Sequence, residues 1–448
     1  MKIKVLIVSP NPWRDDNSFG NSFDSIFNGM DEVEIHNIYC SIGIPNSRIP
    51  KSFLQINEKF LIKNILNKDY PTSRNVNITD ISDIILREAK KDSHVFSFFQ
   101  KNRWTVFFWM RELIWRFGRW KSEELDNYVK QVKPDIIFLP IYIFPYTNRI
   151  GLHISKRYNI KLLGYISDDN YTLKQFSLNP LFWFNRLIFR SYVKRAILRS
   201  EILYVISEEQ KRDYDKIFKI NTKILYKGFD ISQINKSDYV GEKDTYKILY
   251  TGNLVAGREM SLLRFSKIIE EFNSIAVKKF IVNVYSKTSL KKSLLCKYQK
   301  LNSLHMKGNI PYNQVITEQL NADLLLHLES FDPKNRLLVR QSFSTKIVDY
   351  LFRSKCILAF GHESIFSIKF FREHEIGFSI STKKQLINTL NLIESDNEVL
   401  DEMGRKAACY ASQNCNIEKI QQGLINDMKG VVDHAMPHVE NQTRANYF

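Results

Sequence analysis

Two short stretches of this 448-residue chain combine residue types and spacing suited to holding a phosphate ester. The first is Tyr250-Thr251-Gly252-Asn253-Leu254-Val255-Ala256-Gly257-Arg258, where an aliphatic run ends in a glycine-bearing turn and the residues from Met260 read as a helix. Backbone N–H groups at such a turn and helix start bind phosphate, and Arg258 adds a permanent charge beside them. The second is Ser342-Phe343-Ser344-Thr345-Lys346-Ile347-Val348-Asp349-Tyr350-Leu351. Ser344 and Thr345 suit a helix N-cap, where unpaired N–H groups and the helix dipole favour an anion. Lys346 adds a cation within the first turn, and Asp349, three residues on, shares its helix face. A phosphate at that helix start has a carboxylate about one turn away, a distance that suits the hydroxyls of a ribose. The plain alternative is that Asp349 pairs with Lys346 or Arg353 on a solvated helix surface, where its loss costs little stability.

Other acidic residues offer proton-transfer chemistry. Asp168-Asp169 follow the apolar run Lys161–Ile166, where an acceptor hydroxyl could approach; one of them is a candidate base or acceptor ligand, the alternative being a loop or cap aspartate. They are adjacent rather than spaced as a DxD metal pair. Glu329, just past the run ending His327-Leu328, is a further carboxylate placed to reach a cleft. The five cysteines form no CxxC pair and no zinc spacing, so no structural metal and a reducing compartment are expected. Neither glycine-bearing turn 252–257 nor Ser9-Pro10-Asn11-Pro12 carries GxGxxG, which argues against a dinucleotide dehydrogenase.

These candidates need a frame. Continuous apolar runs at Val5–Val8, Asp135–Leu139, Lys161–Ile166 and Ile202–Ile206, each followed by a polar turn and a helical stretch, read as parallel strands buried on both faces. The pattern restarts at Tyr246–Gly252 and continues through Phe280–Tyr285, Asp323–Leu328 and Cys356–Gly361. Asp230–Thr245, polar and aperiodic, separates the two series. The fold class is therefore α/β with two Rossmann-like domains, 1–230 and 246–425, and a tail, 426–448, that is a candidate to cross back to the first. In such sheets ligands sit beyond the carboxyl ends of the strands.

Composition narrows the class. Hydrophobic residues at 44% and charged residues at 25% fit a folded globular chain, and 448 residues exceed one core. No run approaches the roughly 20 apolar residues of a membrane span, and MKIKVLIVSP reads as a strand rather than a signal peptide, so a cytoplasmic protein is expected. A net charge of +17 asks for a polyanionic partner: nucleic acid, anionic lipid or a phosphorylated substrate. Within 95–120, Phe107, Met110, Leu113, Ile114 and Phe117 form a helical stripe with Arg103, Arg111, Arg116 and Arg119 outside it. Two readings follow, a core-facing helix with a solvated basic face or a docking surface for an anionic membrane.

The order and spacing of Gly252–Arg258, Lys307-Gly308-Asn309-Ile310-Pro311 and Ser344–Phe360 resemble a glycosyltransferase of the GT-B fold, similar to family four and its relatives in bacterial surface-polysaccharide synthesis. Gly20-Asn21, Lys133–Ile137, Ser167–Asp169 and Val205–Ser207 resemble the family more loosely. The resemblance implies two domains facing across a cleft, with transfer of a sugar from a nucleotide-sugar, a UDP-sugar, to a glycan or lipid-linked glycan. It implies retention of configuration without a metal, and no cofactor, the nucleotide-sugar being a substrate. By the same resemblance Gly252, Asn253, Arg258, Gly308, Asn309, Ser344, Thr345, Lys346 and Asp349 bind the donor. Arg258 and Lys346 would neutralise the diphosphate, Asp349 would hold the ribose, and the turn at Gly308 would lie near the base. Gly20 and Asn21 would stand on the acceptor side, and Asp168 or Asp169 would act on the acceptor. Asn253 stands where the family often has a basic residue, and Gln341 where it has the upstream Glu of a pair. The competing readings are a catalytically inactive GT-B scaffold, a nucleotide-sugar epimerase, and a basic nucleic-acid-binding protein, the last disfavoured because the positive residues are spread along the chain.

Overall fold

The computed structural model describes residues 2–15, 17–78, 105–234, 243–396 and 398–433. Arg103, the linker residues 235–242 and the tail from 434 onward lie outside the described residues. Among the described residues the strands form two sheets. The first contains β1 (Ile3–Ser9), β2 (Val33–Tyr39), β3 (Ser52–Ile56), β4 (Ser73–Val76), β5 (Ile136–Pro140), β6 (Lys161–Ile166), β7 (Ile202–Val205) and β8 (Lys223–Ile224), in the order β4-β3-β2-β1-β5-β6-β7-β8. β1 runs parallel to β2 and β5, and β4 is an antiparallel edge on β3. The second contains β9 (Thr245–Thr251), β10 (Lys279–Tyr285), β11 (Leu304–Gly308), β12 (Leu324–Leu328), β13 (Cys356–Phe360) and β14 (Phe378–Ile380). Its order is β11-β10-β9-β12-β13-β14, with every pairing parallel. In both sheets the strand order reverses beside the first strand, and the crevice at such a reversal is where α/β sheets bind ligands.

By packing, the chain divides into two units: Met1–Ile166 with Trp183–Tyr204 and Lys419–Phe448, and Ser167–Phe182 with Val205–Glu418. In the first, Val5–Val8 and Ile136–Leu139 are wholly buried, as continuous apolar strands must be. The helix Ser18–Phe27 lays Phe23 edge-on to Trp13, Phe138 and Tyr165. Asn17 caps this helix by accepting from the Gly20 N–H, and Gly20 lies so close to the Arg14 backbone that a Cβ would fall 1.9 Å from its carbonyl oxygen. Asn21 donates its N–H to the Asn17 carbonyl within the first turn. From Lys419 on, the helix Ile417–Asp433 belongs to this unit. It buries Leu424, Ile425 and Met428, and Gln421 donates to the Ile26 and Asn28 carbonyls. In the second unit the core is built on β9, β12 and β13, with Ile248, Leu324, Leu326, Leu358 and Phe360 fully enclosed.

Of the two readings of the stripe on the helix Thr105–Phe117, the core-facing one does not hold: Met110, Leu113 and Phe117 are 53%, 50% and 71% exposed. The inward face carries Arg111 and Trp115, both donating to Glu58, and Glu112, which pairs with Arg149 at 2.7 Å. Trp115 stacks on Tyr146 at 4.6 Å. The arrangement has a physical cause: the half-buried Glu58 carboxylate pairs with the half-buried Arg111 guanidinium on the inward face, and the apolar stripe is left outside. Among the described residues no helix is long and apolar enough to cross a membrane.

The last helix can be tested as a core element of the first unit. Met428→Asp would force a carboxylate into a fully enclosed position and should lower stability by several kcal/mol, roughly 3 or more. Lys429→Ala, which removes only an exposed pair with Glu32, should cost under about 1 kcal/mol. Urea unfolding of both variants is the measurement. Similar costs for the two would show that the helix does not complete the core.

Candidate anion-binding site at the strand reversal of the second sheet

β9 ends at Thr251, and the chain turns at Gly252 with φ +129°. The Tyr250 hydroxyl donates to the Asn253 carbonyl at 2.8 Å, and the Leu254 N–H to Thr288 Oγ1 at 2.9 Å, which together fix the turn. Gly257, with φ +87°, caps the following helix, Arg258–Asn273. Both glycines are favoured by their positive φ, and a side chain at either would displace a neighbour. A Cβ on Gly252 would lie 1.7 Å from Lys346 Nζ, and one on Gly257 2.2 Å from Ser330 Oγ.

The first residue of that helix reaches over to β12, its neighbour at the reversal. Arg258 Nε donates to the Leu328 carbonyl at 3.0 Å, and Nη2 to Glu329 Oε1 and Oε2 at 2.9 and 3.1 Å. Glu329 is only 1% exposed. Burial alone would raise its pKa, but the Arg258 guanidinium and the adjacent His327 hold it down to about 2. His327 Nε2 lies 3.3 Å from Glu329 Oε1 and 3.1 Å from Ser367 Oγ, and burial lowers its own pKa so that it stays neutral. Arg258 therefore arrives at the crevice oriented and already balanced by a carboxylate.

Lys346 has no such bonded partner, although the Glu329 and Asp349 carboxylates act on it at a distance. It stands in the first turn of the helix Thr345–Leu351, with its Nζ over the Tyr250 ring at 5.4 Å. Among the described residues it has no hydrogen-bond or ion-pair partner. Burial first, and then the charge of Arg258, lower its pKa from 10.5 to about 8. The backbone of this helix contributes less than its sequence suggests. It has seven residues, and Ser344 occupies the cap position without a side-chain cap bond. The dipole of so short a helix is small, so the cation rather than the helix start dominates the local field.

Asp349 is not on a solvated surface and pairs with neither Lys346 nor Arg353. Its Oδ1 accepts from Lys227 Nζ at 2.6 Å, with side chains 13% and 5% exposed. Arg353 Nε donates to Gln319 Oε1. Sequence reading missed both Lys227, 122 residues away from Asp349, and the Glu329–Arg258 pair, because neither follows from local spacing. In this group the charges of Arg258 and Glu329 cancel, as do those of Lys227 and Asp349, and the Lys346 ammonium is left in excess.

The remaining candidates are more dispersed. Asn253 is exposed, and its carbonyl serves the turn. Gly308 (φ +80°) and Asn309 lie exposed at the end of β11, two strands from β9 and so roughly 10 Å from it. Ser344 and Thr345 are half-buried beside Lys346. Gln341 is buried, donating its amide to Asp213 and accepting from the Ser207 hydroxyl at its carbonyl. Asp169 is tied into its own loop, accepting from the Thr172 hydroxyl and the Tyr171 and Thr172 N–H groups. Asp168 keeps its side chain in contact with solvent yet is crowded by protein, and that crowding, with the Asp169 charge, raises its pKa. Among the described residues no group of three or more His, Cys, Asp or Glu side chains could hold a metal ion.

A half-buried ammonium without a bonded carboxylate, near an oriented guanidinium, is an arrangement that suits a multiply charged anion. Gly252→Ala tests the geometry directly. The added methyl must displace the Lys346 ammonium and strain a backbone at φ +129°, so affinity for inorganic pyrophosphate should fall at least about tenfold. Calorimetric titration with pyrophosphate decides it, and unchanged affinity would place the anion elsewhere.

No protein-family model and no curated protein sequence matches the chain. Solved structures do. HepE from Anabaena, in complex with UDP and glucose, is 13% identical with a TM-score of 0.60, over 96% of this chain and 100% of that one. A sucrose-phosphate synthase from Thermosynechococcus elongatus is 11% identical with a TM-score of 0.61, over 97% and 100%. A UDP-forming α,α-trehalose-phosphate synthase from Burkholderia vietnamiensis is 8% identical with a TM-score of 0.58, over 95% and 100%. The chain thus has the two-sheet α/β fold of the GT-B glycosyltransferases.

Proposed function

We propose that the chain is a glycosyltransferase that takes a sugar from a UDP-sugar and transfers it, with retention and without a metal, to a glycan or lipid-linked glycan in bacterial surface-polysaccharide synthesis. The observation that carries this reading is the half-buried Lys346 ammonium, which packs against Gly252, has no hydrogen-bonded or ion-paired carboxylate among the described residues, and lies within electrostatic reach of Arg258 at a strand reversal. Charge develops on the leaving diphosphate as the sugar–phosphate bond breaks. Preorganised cations that meet it there favour the transition state over the bound donor. Asp349 offers its second carboxylate oxygen to the ribose. Gly308, the last residue of the edge strand β11, and Asn309 after it are assigned to the base of the nucleotide. The nucleotide-sugar is the substrate, and no further cofactor and no nucleic acid enter the reading.

On the acceptor side Asp168, with its raised pKa and solvent contact, is the better placed of the pair to exchange a proton or hold a hydroxyl, since Asp169 is engaged in its loop. Gly20 serves its helix rather than a ligand, its missing side chain making room for the Arg14 carbonyl.

Calorimetry with UDP and a UDP-sugar tests the donor site. A hydrogen bond to a charged group contributes roughly 1.5–3 kcal/mol, about 10- to 150-fold in affinity. Asp349→Asn should lose affinity within that range while leaving Lys227 an acceptor oxygen. Arg258→Ala and Lys346→Ala should depress turnover more than UDP affinity. Three variants that bind UDP like the unmodified protein would remove the donor site from this crevice.

A lipid-linked acceptor calls for a membrane face, and the first unit offers one. Met110, Leu113 and Phe117 are exposed beside the exposed Arg116 and Arg119. The helix Glu58–Leu66, joined to that helix by the Glu58–Arg111 pair, exposes Ile62, Ile65 and Leu66 next to Lys63. On its other side Trp109 packs on Phe184, which with Leu187 is also exposed. Apolar side chains ringed by cations fit an anionic bilayer surface. Flotation with vesicles containing phosphatidylglycerol should retain the protein, and binding should fall with added salt and in Phe117→Asp. Equal flotation with neutral vesicles at any salt would contradict this docking.

A further inference from the structure

Lys227 lies outside every motif that points to the donor site, yet it is among the most enclosed charged residues of the second unit. Its side chain is 5% exposed and bonded at 2.6 Å to Asp349 Oδ1. The segment that carries it is strapped down at both ends. The Leu225 N–H donates to the Val205 carbonyl. The Phe229 N–H donates to the Cys415 carbonyl, and the Phe229 carbonyl accepts from the Ile417 N–H. The Phe229 ring packs on Phe352 at 4.6 Å, and the Lys227 ammonium lies 4.8 Å from the same ring. Phe352 directly follows the helix that carries Asp349, so donor and acceptor of the ion pair are held by one packed cluster.

The two oxygens of Asp349 are therefore unequal. Oδ1 is fixed by Lys227, while Oδ2 has no hydrogen-bond partner among the described residues. Lys227 also cancels the carboxylate's charge close to the place where a diphosphate must bind. Without that cation a carboxylate there would repel the anion that Lys346 attracts. We propose that Lys227 is a positioning residue for the nucleotide: it locks Asp349 in the rotamer that presents Oδ2 to the ribose diol, and so sets the preference for ribonucleotides over 2′-deoxyribonucleotides. This rests on the donor-site reading above, in which Asp349 meets the ribose.

The test is calorimetric titration with UDP and 2′-deoxy-UDP on the full-length protein and on Lys227→Met, Lys227→Gln and Asp349→Asn, with thermal unfolding of each. The unmodified protein should prefer UDP by at least about tenfold, the lower end expected for a hydrogen bond to a charged acceptor. Lys227→Met should bring the ratio close to unity. Lys227→Gln, which keeps a donor but not the charge, should retain part of it and decides the matter if the Met variant does not fold. In the Asp349→Asn background, Lys227→Met should change the ratio no further. A merely structural lysine would lower the unfolding temperature and leave the ratio intact, and that result in either single variant overturns the proposal. If the unmodified protein itself binds both nucleotides equally, or neither, the donor-site reading fails, and the role of Lys227 falls with it.

Discussion

The second sheet is organised around an ammonium group that the fold crowds and half-buries without a directly bonded carboxylate among the described residues. Placing a charge in a low-dielectric crevice is costly, and proteins ordinarily neutralise it or pair it. Here two neighbouring cations are paired, Arg258 with Glu329 and Lys227 with Asp349, and Lys346 is not. The lowered pKa of Lys346 expresses that frustration. In the proposed reading, a ligand carrying two or more negative charges would relieve it, as a diphosphate does and a neutral sugar alone does not.

Much of the surrounding architecture exists to make this arrangement sterically available. Gly252 leaves room for the Lys346 side chain, Gly257 admits Ser330, and at Gly361 a Cβ would come within 2.7 Å of Glu329 Cβ. Each glycine sits at a carboxyl end of β9 or β13 or at the helix start that follows β9, the edge of the sheet where backbone turns approach one another. His327 and Ser367 steady Glu329 from the other side. A guanidinium held through Nε by the Leu328 carbonyl and through Nη2 by Glu329 loses little freedom when an anion arrives, so its orientation is set before binding.

Much of this was legible in the sequence, for a physical reason. Parallel strands buried on both faces leave continuous apolar runs, so β1, β5, β6, β9, β12 and β13 could be read directly. β2 and β3 could not: in Val33–Tyr39 the buried His36 and Asn37 are hydrogen-bonded to Ser52 and to the Ile7 carbonyl, and such polar pairing erases the apolar signature. Arg258, Lys346 and Asp349 announced themselves through local spacing. Their partners did not, because Glu329 and Lys227 are joined to them only by the folded topology. The helix Thr105–Phe117 shows where local pattern left two readings open. Its apolar stripe was clear, but the direction it faces was decided by Glu58, 53 residues from Arg111.

The most direct test of the account is the ionisation of Lys346 itself. Its side-chain resonances can be followed by NMR in protein labelled at lysine, with Lys346→Arg for assignment, as pH is raised with and without UDP. In the free protein the ammonium should titrate near 8, against 10.5 for an ordinary lysine. A bound diphosphate stabilises the charged form, so UDP should raise that value by at least about one unit, and UDP affinity should decline as pH rises above 8. A Lys346 that titrates near 10.5 in the free protein, or that ignores UDP, would contradict the claim that this ammonium is the core of a donor diphosphate site.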